Sequence, residues 1–162
     1  MICYRRATMD DLEAVWAYNI AHNPDEPRNQ RWKESYIRRN RENRAATYVV
    51  VVDDVPVGEV TLDYHGESYG NPDSWKHLAN RKQTGYVTAL RIRKEFEGNG
   101  YISGLMQYME DSAREMGFTQ LTIGVDAAES RNLAIYLHWG YNRFVLGEMD
   151  DGELVLFYAK AL

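Results

Sequence analysis

The sequence predicts an α/β protein with a central mixed, mostly antiparallel sheet flanked by helices. Strand-like and helix-like segments follow the order βααββ–βα–βα–ββ, which is typical of a sheet covered by helices. Two turn sequences, Asp53-Asp54 and Asp150-Asp151-Gly152, each join two strand-like runs and indicate β-hairpins. No repeat, low-complexity run or linker interrupts the 162 residues, so we expect a single domain over residues 1–162.

The chain begins with a predicted strand and two predicted helices. Residues 2–6 read as a strand, and Thr8 followed by Asp11 resembles a capping box that starts the first helix. One face of that helix is indicated by residues at helical spacing; it comprises Leu12, Val15, Trp16, Asn19 and Ile20. A second helix from about residue 30 to 44 is rich in arginine. We interpret its charges as a solvated face, with a polyphosphate or partner surface as the alternative.

The middle of the chain predicts a hairpin and a long loop. Residues 47–53 form a strand-like run that contains four successive β-branched valines, and residues 57–65 alternate as a returning strand. The polar residues of that second strand share one face; they are Glu59, Thr61, Asp63 and His65. Residues 66–84 form a long polar loop, and loops of this length in compact domains are often binding or lid elements.

The second half predicts two βα units and a closing hairpin. The predicted strands are residues 86–92, 121–125, 141–148 and 153–159, and the predicted helices are residues 101–117 and 129–138. The first of these helices follows a turn that contains Gly98 and Gly100. Glycine lets the backbone turn tightly and lets a ligand approach it, and the first amides of a helix lack partners inside it. We therefore expect a phosphate or pyrophosphate at residues 98–103.

Composition narrows the class of protein. The chain is 44% hydrophobic and 27% charged, as soluble globular proteins are. Its 24 acidic and 19 basic residues give a net charge of −5, which argues against nucleic acid as the main partner. One cysteine, Cys3, permits no intrachain disulfide. The sequence has no apolar leader and no run of about 18 apolar residues, so we expect a cytoplasmic protein without membrane contact. The histidines and the cysteine have no metal-ligand spacing, and we expect no metal.

The glycine turn resembles the acetyl-coenzyme A loop of the GCN5-related N-acetyltransferase (GNAT) family, Gln/Arg-x-x-Gly-x-Gly/Ala. Leu90-Arg91-Ile92 matches the preceding strand end, Gly100 the first motif glycine and Leu105 the helix leucine. Glu97 and Ile102 depart from the motif. The spacing Gly98-x-Gly100-x-x-x-Gly104 does not fit a dinucleotide fingerprint.

A second segment resembles the family's other motif, Asn-x-x-Ala-x-x-x-Tyr-x-x-x-Gly-Phe. Tyr136, Gly140 and Tyr141 match it, whereas Glu129 takes the motif's Asn position and Asn132 its Ala position. The two motifs together lie on the expected elements and cover both halves of the family's cofactor site. The resemblance implies a GNAT-like acyl-coenzyme A N-acyltransferase fold.

The resemblance also implies transfer of an acetyl group from acetyl-coenzyme A to a primary amine by direct transfer in a ternary complex. Leu90 and Ile92 would bind the pantetheine arm through their main chain. The full set implied for the coenzyme is Leu90, Arg91, Ile92, Glu97, Gly98, Asn99, Gly100, Tyr101, Ile102, Ser103 and Asn132. Tyr136 would protonate the leaving thiolate, because a phenol with a pKa of about 10 keeps its proton at neutral pH. The alternative for Tyr136 is a helix residue that packs on the sheet.

Several questions stay open at the level of sequence. Glu59 is our first choice of general base, with Asp63, His65 and Glu129 as alternatives. The acceptor is a small-molecule or peptide amine; polyamine, amino acid, antibiotic amine and protein N-terminus all fit. A homodimer is possible. The alternatives to an enzyme are a non-catalytic domain that senses acyl-coenzyme A and an interaction module that uses the basic segment 28–44.

Overall fold

The structure, a computed structural model, describes all of residues 1–162. Seven strands form one mixed sheet in the order β1-β2-β3-β4-β5-β7-β6. The strands are β1 (Ile2–Arg6), β2 (Ala45–Val52), β3 (Val55–Asp63), β4 (Thr84–Ile92), β5 (Gln120–Asp126), β6 (Arg143–Asp150) and β7 (Glu153–Ala161). The helices are α1 (Met9–Ala21), α2 (Asn29–Arg41), α3 (Trp75–Leu78), α4 (Tyr101–Glu115) and α5 (Ser130–His138). None of these helices combines the length and apolar composition that a bilayer crossing needs.

Strand pairing confirms the predicted class of sheet. β4 and β5 run parallel, as expected for strands joined through a helix. The pairs β1–β2, β5–β7 and β6–β7 are antiparallel. Both predicted hairpin turns are present, since β2 leads into β3 and β6 into β7 across two-residue turns.

The chain divides into two compact units. The first unit consists of Met1–Thr61 and Ala89–Asp111, and the second consists of Leu62–Thr88 and Ser112–Leu162. The core of the first unit includes a cluster formed by α1, α2, β2 and the residue that follows β1; its members are Ala7, Leu12, Val15, Ile37, Val49 and Val51. A core cluster of the second unit comprises Tyr69, Leu78, Ala79, Tyr86 and Phe157.

Helix α1 starts as the sequence predicts. The Thr8 hydroxyl accepts a hydrogen bond from the Asp11 N–H at 3.1 Å, and the Asp11 carboxylate accepts one from the Thr8 N–H at 2.8 Å. This reciprocal pair is a capping box that satisfies two amides at the helix start. Arg5 on β1 also pairs with Asp11, so the carboxylate links the strand to the helix that follows it.

The segment predicted as a long polar loop differs from that expectation. It contains a short 3₁₀ turn, Pro72–Ser74, and the one-turn helix α3. Asn71 caps the turn by accepting from the Asp73 N–H at 3.2 Å, and a proline in the first turn of a helix lacks only an amide that has no helical partner. The Trp75 indole N–H donates to the Tyr69 carbonyl at 2.7 Å. Much of the segment is therefore folded structure.

Candidate functional site

The glycine turn before α4 presents unengaged main-chain donors. Gly98 and Gly100 have φ angles of 81° and 78°, a region that L residues rarely adopt. The helix makes its first hydrogen bond from the Gly104 N–H to the Gly100 carbonyl at 3.0 Å. None of the N–H groups from Gly98 to Ser103 donates to an acceptor in the chain. A Cβ built at either turn glycine would meet no atom within 4 Å, so the turn is open on that side.

These properties fit the diphosphate of a coenzyme. Unpaired amides at a helix start point toward an incoming anion, and the helix dipole favours negative charge there. Asn99 holds the turn from within, because its amide donates to the carbonyls of Phe96 at 3.1 Å and Glu97 at 3.4 Å. The Glu97 side chain is exposed and Ile102 is half-buried. Neither of these two residues, which depart from the family motif, accepts a hydrogen bond from the main-chain N–H groups of the turn.

Helix α4 is held against β1 by a close approach at Gly104. A Cβ on Gly104 would lie only 2.2 Å from the Tyr4 hydroxyl oxygen, so a larger residue would displace the ring. Leu105, Met106 and Met109 are buried on the same helix, and Met109 lies four and three residues after the other two. This packing fixes the helix start from which the amides project.

Strand β4 changes conformation immediately before the predicted coenzyme residues. Its parallel pairing with β5 ends at Val87, opposite Ile123. Ala89 then has a φ of 53°, which is unusual for a residue with a side chain and typical of an irregularity in a strand. Leu90, Arg91 and Ile92 follow this point. Ala89 carries no sequence signal, since only a glycine or asparagine would have indicated a positive φ there.

Glu59 on β3 lies in a charged cluster with Arg91 and Asn19. It is only 2% exposed. Its Oε1 accepts hydrogen bonds from Arg91 Nε at 2.6 Å and from Asn19 Nδ2 at 3.1 Å. Burial raises the pKa of the Glu59 carboxyl above its ordinary value, and the charge of Arg91 and the Asn19 hydrogen bond oppose that rise. A carboxyl whose pKa is raised toward neutrality is suited to proton transfer.

A cavity of about 140 Å³ opens beside this cluster. Its lining consists of Val15, Tyr18, Asn19, Pro56, Val57, Gly58, Glu59, Arg91, Ile92 and Arg93. All of these residues belong to the first unit. Among them, Glu59, Arg91 and Ile92 were predicted from the sequence as site residues, whereas Arg93 was not. Arg91 lies at the end of β4 and Arg93 directly follows the strand, so their two-residue spacing is the signal that could have placed both cations on one side of the chain.

Asp63, an alternative base, accepts hydrogen bonds from the turn that follows β3. It is fully buried. Its Oδ1 accepts from the N–H groups of His65 and Gly66, each at 3.0 Å, and its Oδ2 accepts from the Ser68 N–H at 2.7 Å and from the Ser68 hydroxyl. Since each carboxylate oxygen already holds two donors, Asp63 stabilises the chain after β3.

Tyr136 and Asn132 lie on α5 in the second unit. Burial raises the pKa of the Tyr136 phenol above its ordinary value, and the nearby charge of Glu129 adds to the rise. The phenol therefore stays protonated throughout the neutral range. Asn132 donates to the Glu129 carboxylate. Glu129 and Asn132, which occupy the Asn and Ala positions of the family motif, are thus hydrogen-bonded to each other.

Solved structures of acetyltransferases share the fold. An N-acetyltransferase from Staphylococcus aureus Mu50 has a TM-score of 0.72 at 16% identity, over 99% of this chain and 98% of that one. The PaiA N-acetyltransferase of Thermoplasma acidophilum, in complex with coenzyme A, has a TM-score of 0.67 at 16% identity, over 100% and 99%. A ribosomal-protein-alanine N-acetyltransferase from Brucella melitensis has a TM-score of 0.69 at 18% identity, over 99% of each chain.

A sequence search of curated proteins finds no match. At the identities of the structural neighbours, the likeness shows the fold alone. A family model described as "Acetyltransferase (GNAT) family" matches residues 8–141, which include the glycine turn, Glu59 and the α5 motif. The chain therefore belongs to the GNAT acetyltransferase family, as the two sequence motifs predict.

Proposed function

We propose that the protein transfers an acetyl group from acetyl-coenzyme A to a primary amine in a ternary complex. The observation that carries the proposal is the set of unengaged amides from Gly98 to Ser103, at the position of the family's coenzyme loop. A neighbour of the same fold is described in complex with coenzyme A. When bound, acetyl-coenzyme A supplies the acetyl group as a thioester.

Two side chains of this protein, Glu59 and Tyr136, each carry out one of the two proton transfers. The attacking amine must lose a proton as its bond to the acetyl carbon forms, and Glu59 accepts that proton. The leaving thiolate must gain a proton as the carbon–sulfur bond breaks, and Tyr136 donates it. The directions of both pKa shifts suit these roles, since Glu59 has a raised carboxyl pKa and Tyr136 keeps its phenol protonated.

Replacing Tyr136 by phenylalanine tests the assignment of the acid. We expect kcat to fall by about 100-fold or more, the usual contribution of a positioned acid, while the Kd for acetyl-coenzyme A in calorimetry stays within about twofold, because the coenzyme site proposed here lies at the glycine turn. Tyr158→Phe is the matched control, since it removes a phenol oxygen from the same unit outside the motif. An unchanged kcat in the Tyr136 variant would reject this role.

The same measurements separate the enzyme from its alternative. Binding of acetyl-coenzyme A without turnover of any amine in a broad panel would favour a non-catalytic sensor of acyl-coenzyme A. Absence of binding would reject the coenzyme site itself.

A further inference from the structure

The cavity beside Glu59 contains one cation that no carboxylate neutralises. The Arg93 guanidinium carbon lies 4.0 Å from the centroid of the Tyr18 ring, a distance at which an aromatic face stabilises a cation. Its backbone N–H donates to the Val57 carbonyl at 2.9 Å. No ion pair involves Arg93. The guanidinium is therefore held in place with its hydrogen-bond donors available.

Arg91 differs from Arg93, because its charge is already compensated. It pairs with Glu59 and its guanidinium carbon lies 4.8 Å from the Trp16 ring centroid. Both side-chain bonds to Glu59 end on Oε1, so Oε2 is the oxygen left for a ligand. The cavity thus offers a carboxylate oxygen from Glu59 and, separately, an unpaired guanidinium from Arg93.

The size of the cavity limits the occupant. Its volume is about 140 Å³, and a protein cavity of about 150 Å³ holds one benzene molecule. Apolar contacts come from Val15, Pro56 and Val57. The enclosed space suits a compact head group.

We propose that the acceptor is a small amino acid, a primary amine with a carboxylate on the neighbouring carbon. Arg93 binds the carboxylate through two parallel hydrogen bonds, the geometry that a guanidinium favours, and Glu59 faces the amino group. This inference rests on the proposed function and names its substrate class. A polyamine would place a second cation against Arg93, and a protein N-terminus carries an amide where the carboxylate is required.

A three-way acceptor panel tests the proposal on the wild-type protein. The panel contains the proteinogenic L-amino acids, their primary amides and their decarboxylated amines, each followed by thiol release from acetyl-coenzyme A. We expect at least one free amino acid to have a kcat/KM at least tenfold above those of its amide and its amine. Equal or higher kcat/KM for the analogues that lack the carboxylate would overturn the proposal.

The variant Arg93→Gln tests whether Arg93 causes the preference for the free amino acid over its amide. We expect its KM for the free amino acid to rise at least tenfold, its KM for the matching amide to change less than twofold, and its KM for acetyl-coenzyme A to stay the same. Arg93→Lys keeps the charge but loses the paired hydrogen-bond geometry. Its KM for the free amino acid should therefore lie between those of the wild type and Arg93→Gln. Arg38→Gln, an exposed arginine of α2, is the control for lost positive charge. A raised KM for acetyl-coenzyme A in Arg93→Gln would assign the residue to the coenzyme and overturn the proposal.

Calorimetry tests binding of the amino acid in the cavity independently of whether the protein transfers an acetyl group. Titration of the free amino acid and its amide into the protein with coenzyme A present reports on the cavity without any turnover. Preferential binding of the free acid, lost in Arg93→Gln, supports the cavity assignment even where no transfer occurs. Equal binding of both molecules, or binding of neither, contradicts it.

Discussion

Glu59 shows how burial and pairing act in opposite directions on one side chain. Burial disfavours the charged carboxylate and raises its pKa, whereas Arg91 and Asn19 stabilise the charge through Oε1. The net shift is upward. At neutral pH the carboxyl is thus a stronger base than an exposed glutamate, and it remains anchored by two neighbours.

The raised pKa of Glu59 predicts the acidic limb of the pH profile. A general base must be unprotonated, so kcat/KM should fall tenfold for each pH unit below the pKa of Glu59 in the folded enzyme. That limb should lie above the ordinary carboxyl pKa of 4.5. Glu59→Gln should lose the limb and most of the activity. Initial rates across pH 5–9 with saturating acetyl-coenzyme A provide the measurement.

Glu129→Gln is the matched control for this pH experiment, because Glu129 is the alternative base at the start of α5. We expect that variant to keep the acidic limb. A limb that persists in Glu59→Gln and disappears in Glu129→Gln would transfer the role of base from β3 to α5.

At the scale of elements, the start of α1 depends on one carboxylate. Burial of Asp11 opposes ionisation, but its hydrogen bonds from Arg5 and from Thr8 outweigh burial and lower its pKa below 3.8. Asp11 therefore stabilises the fold above the pKa of an unfolded aspartate, and this contribution disappears as pH falls through the lowered pKa. The element most affected is α1, which supplies Tyr18 and Asn19 to the cavity.

Replacing Asp11 by alanine should destabilise the protein by about 2 kcal/mol at pH 7. Loss of the hydrogen bond from the Thr8 N–H costs about 1 kcal/mol, and loss of the Arg5 hydrogen bond adds about 1 kcal/mol. Urea unfolding measures the difference in free energy of unfolding between wild type and variant. This difference should decrease as pH falls below 3.8. Asp10→Ala, an exposed neighbour in the same first turn, should change stability by less than about 0.5 kcal/mol. A pH-independent difference for Asp11→Ala would show that its ionisation is not what stabilises the helix.

At the scale of the whole molecule, the structural features that depend on neighbouring residues in the chain were predictable from the sequence. The hairpin turns, the capping box at Thr8 and Asp11, and the helix after Gly100 each rest on residues close together in sequence. The cavity was not predictable, because its walls come from α1, β3 and the end of β4, which lie far apart along the chain. Likewise, the alternation along β3 predicted that Glu59, Thr61 and Asp63 share one face, but it carried no signal that all three are buried.

Coenzyme binding should stabilise the whole fold through the glycine turn. Acetyl-coenzyme A at about 100 times its Kd should add about 2.7 kcal/mol to the free energy of unfolding. For a chain of this size, the expected rise in Tm is about 5–10 °C. Thermal unfolding with increasing acetyl-coenzyme A measures the rise.

Two glycine variants test whether the turn is the source of that stabilisation. Gly98 and Gly152 have φ angles of 81° and 82°, and a Cβ at either would meet no atom within 4 Å. Alanine should therefore cost each the same backbone strain, about 1–2 kcal/mol, and lower the Tm of the unliganded protein equally. Only Gly98→Ala adds a methyl group beside the unengaged amides, so only that variant should lose most of the coenzyme-induced rise. A rise of equal size in both variants would place the coenzyme's diphosphate elsewhere and remove the main support for the proposed enzyme.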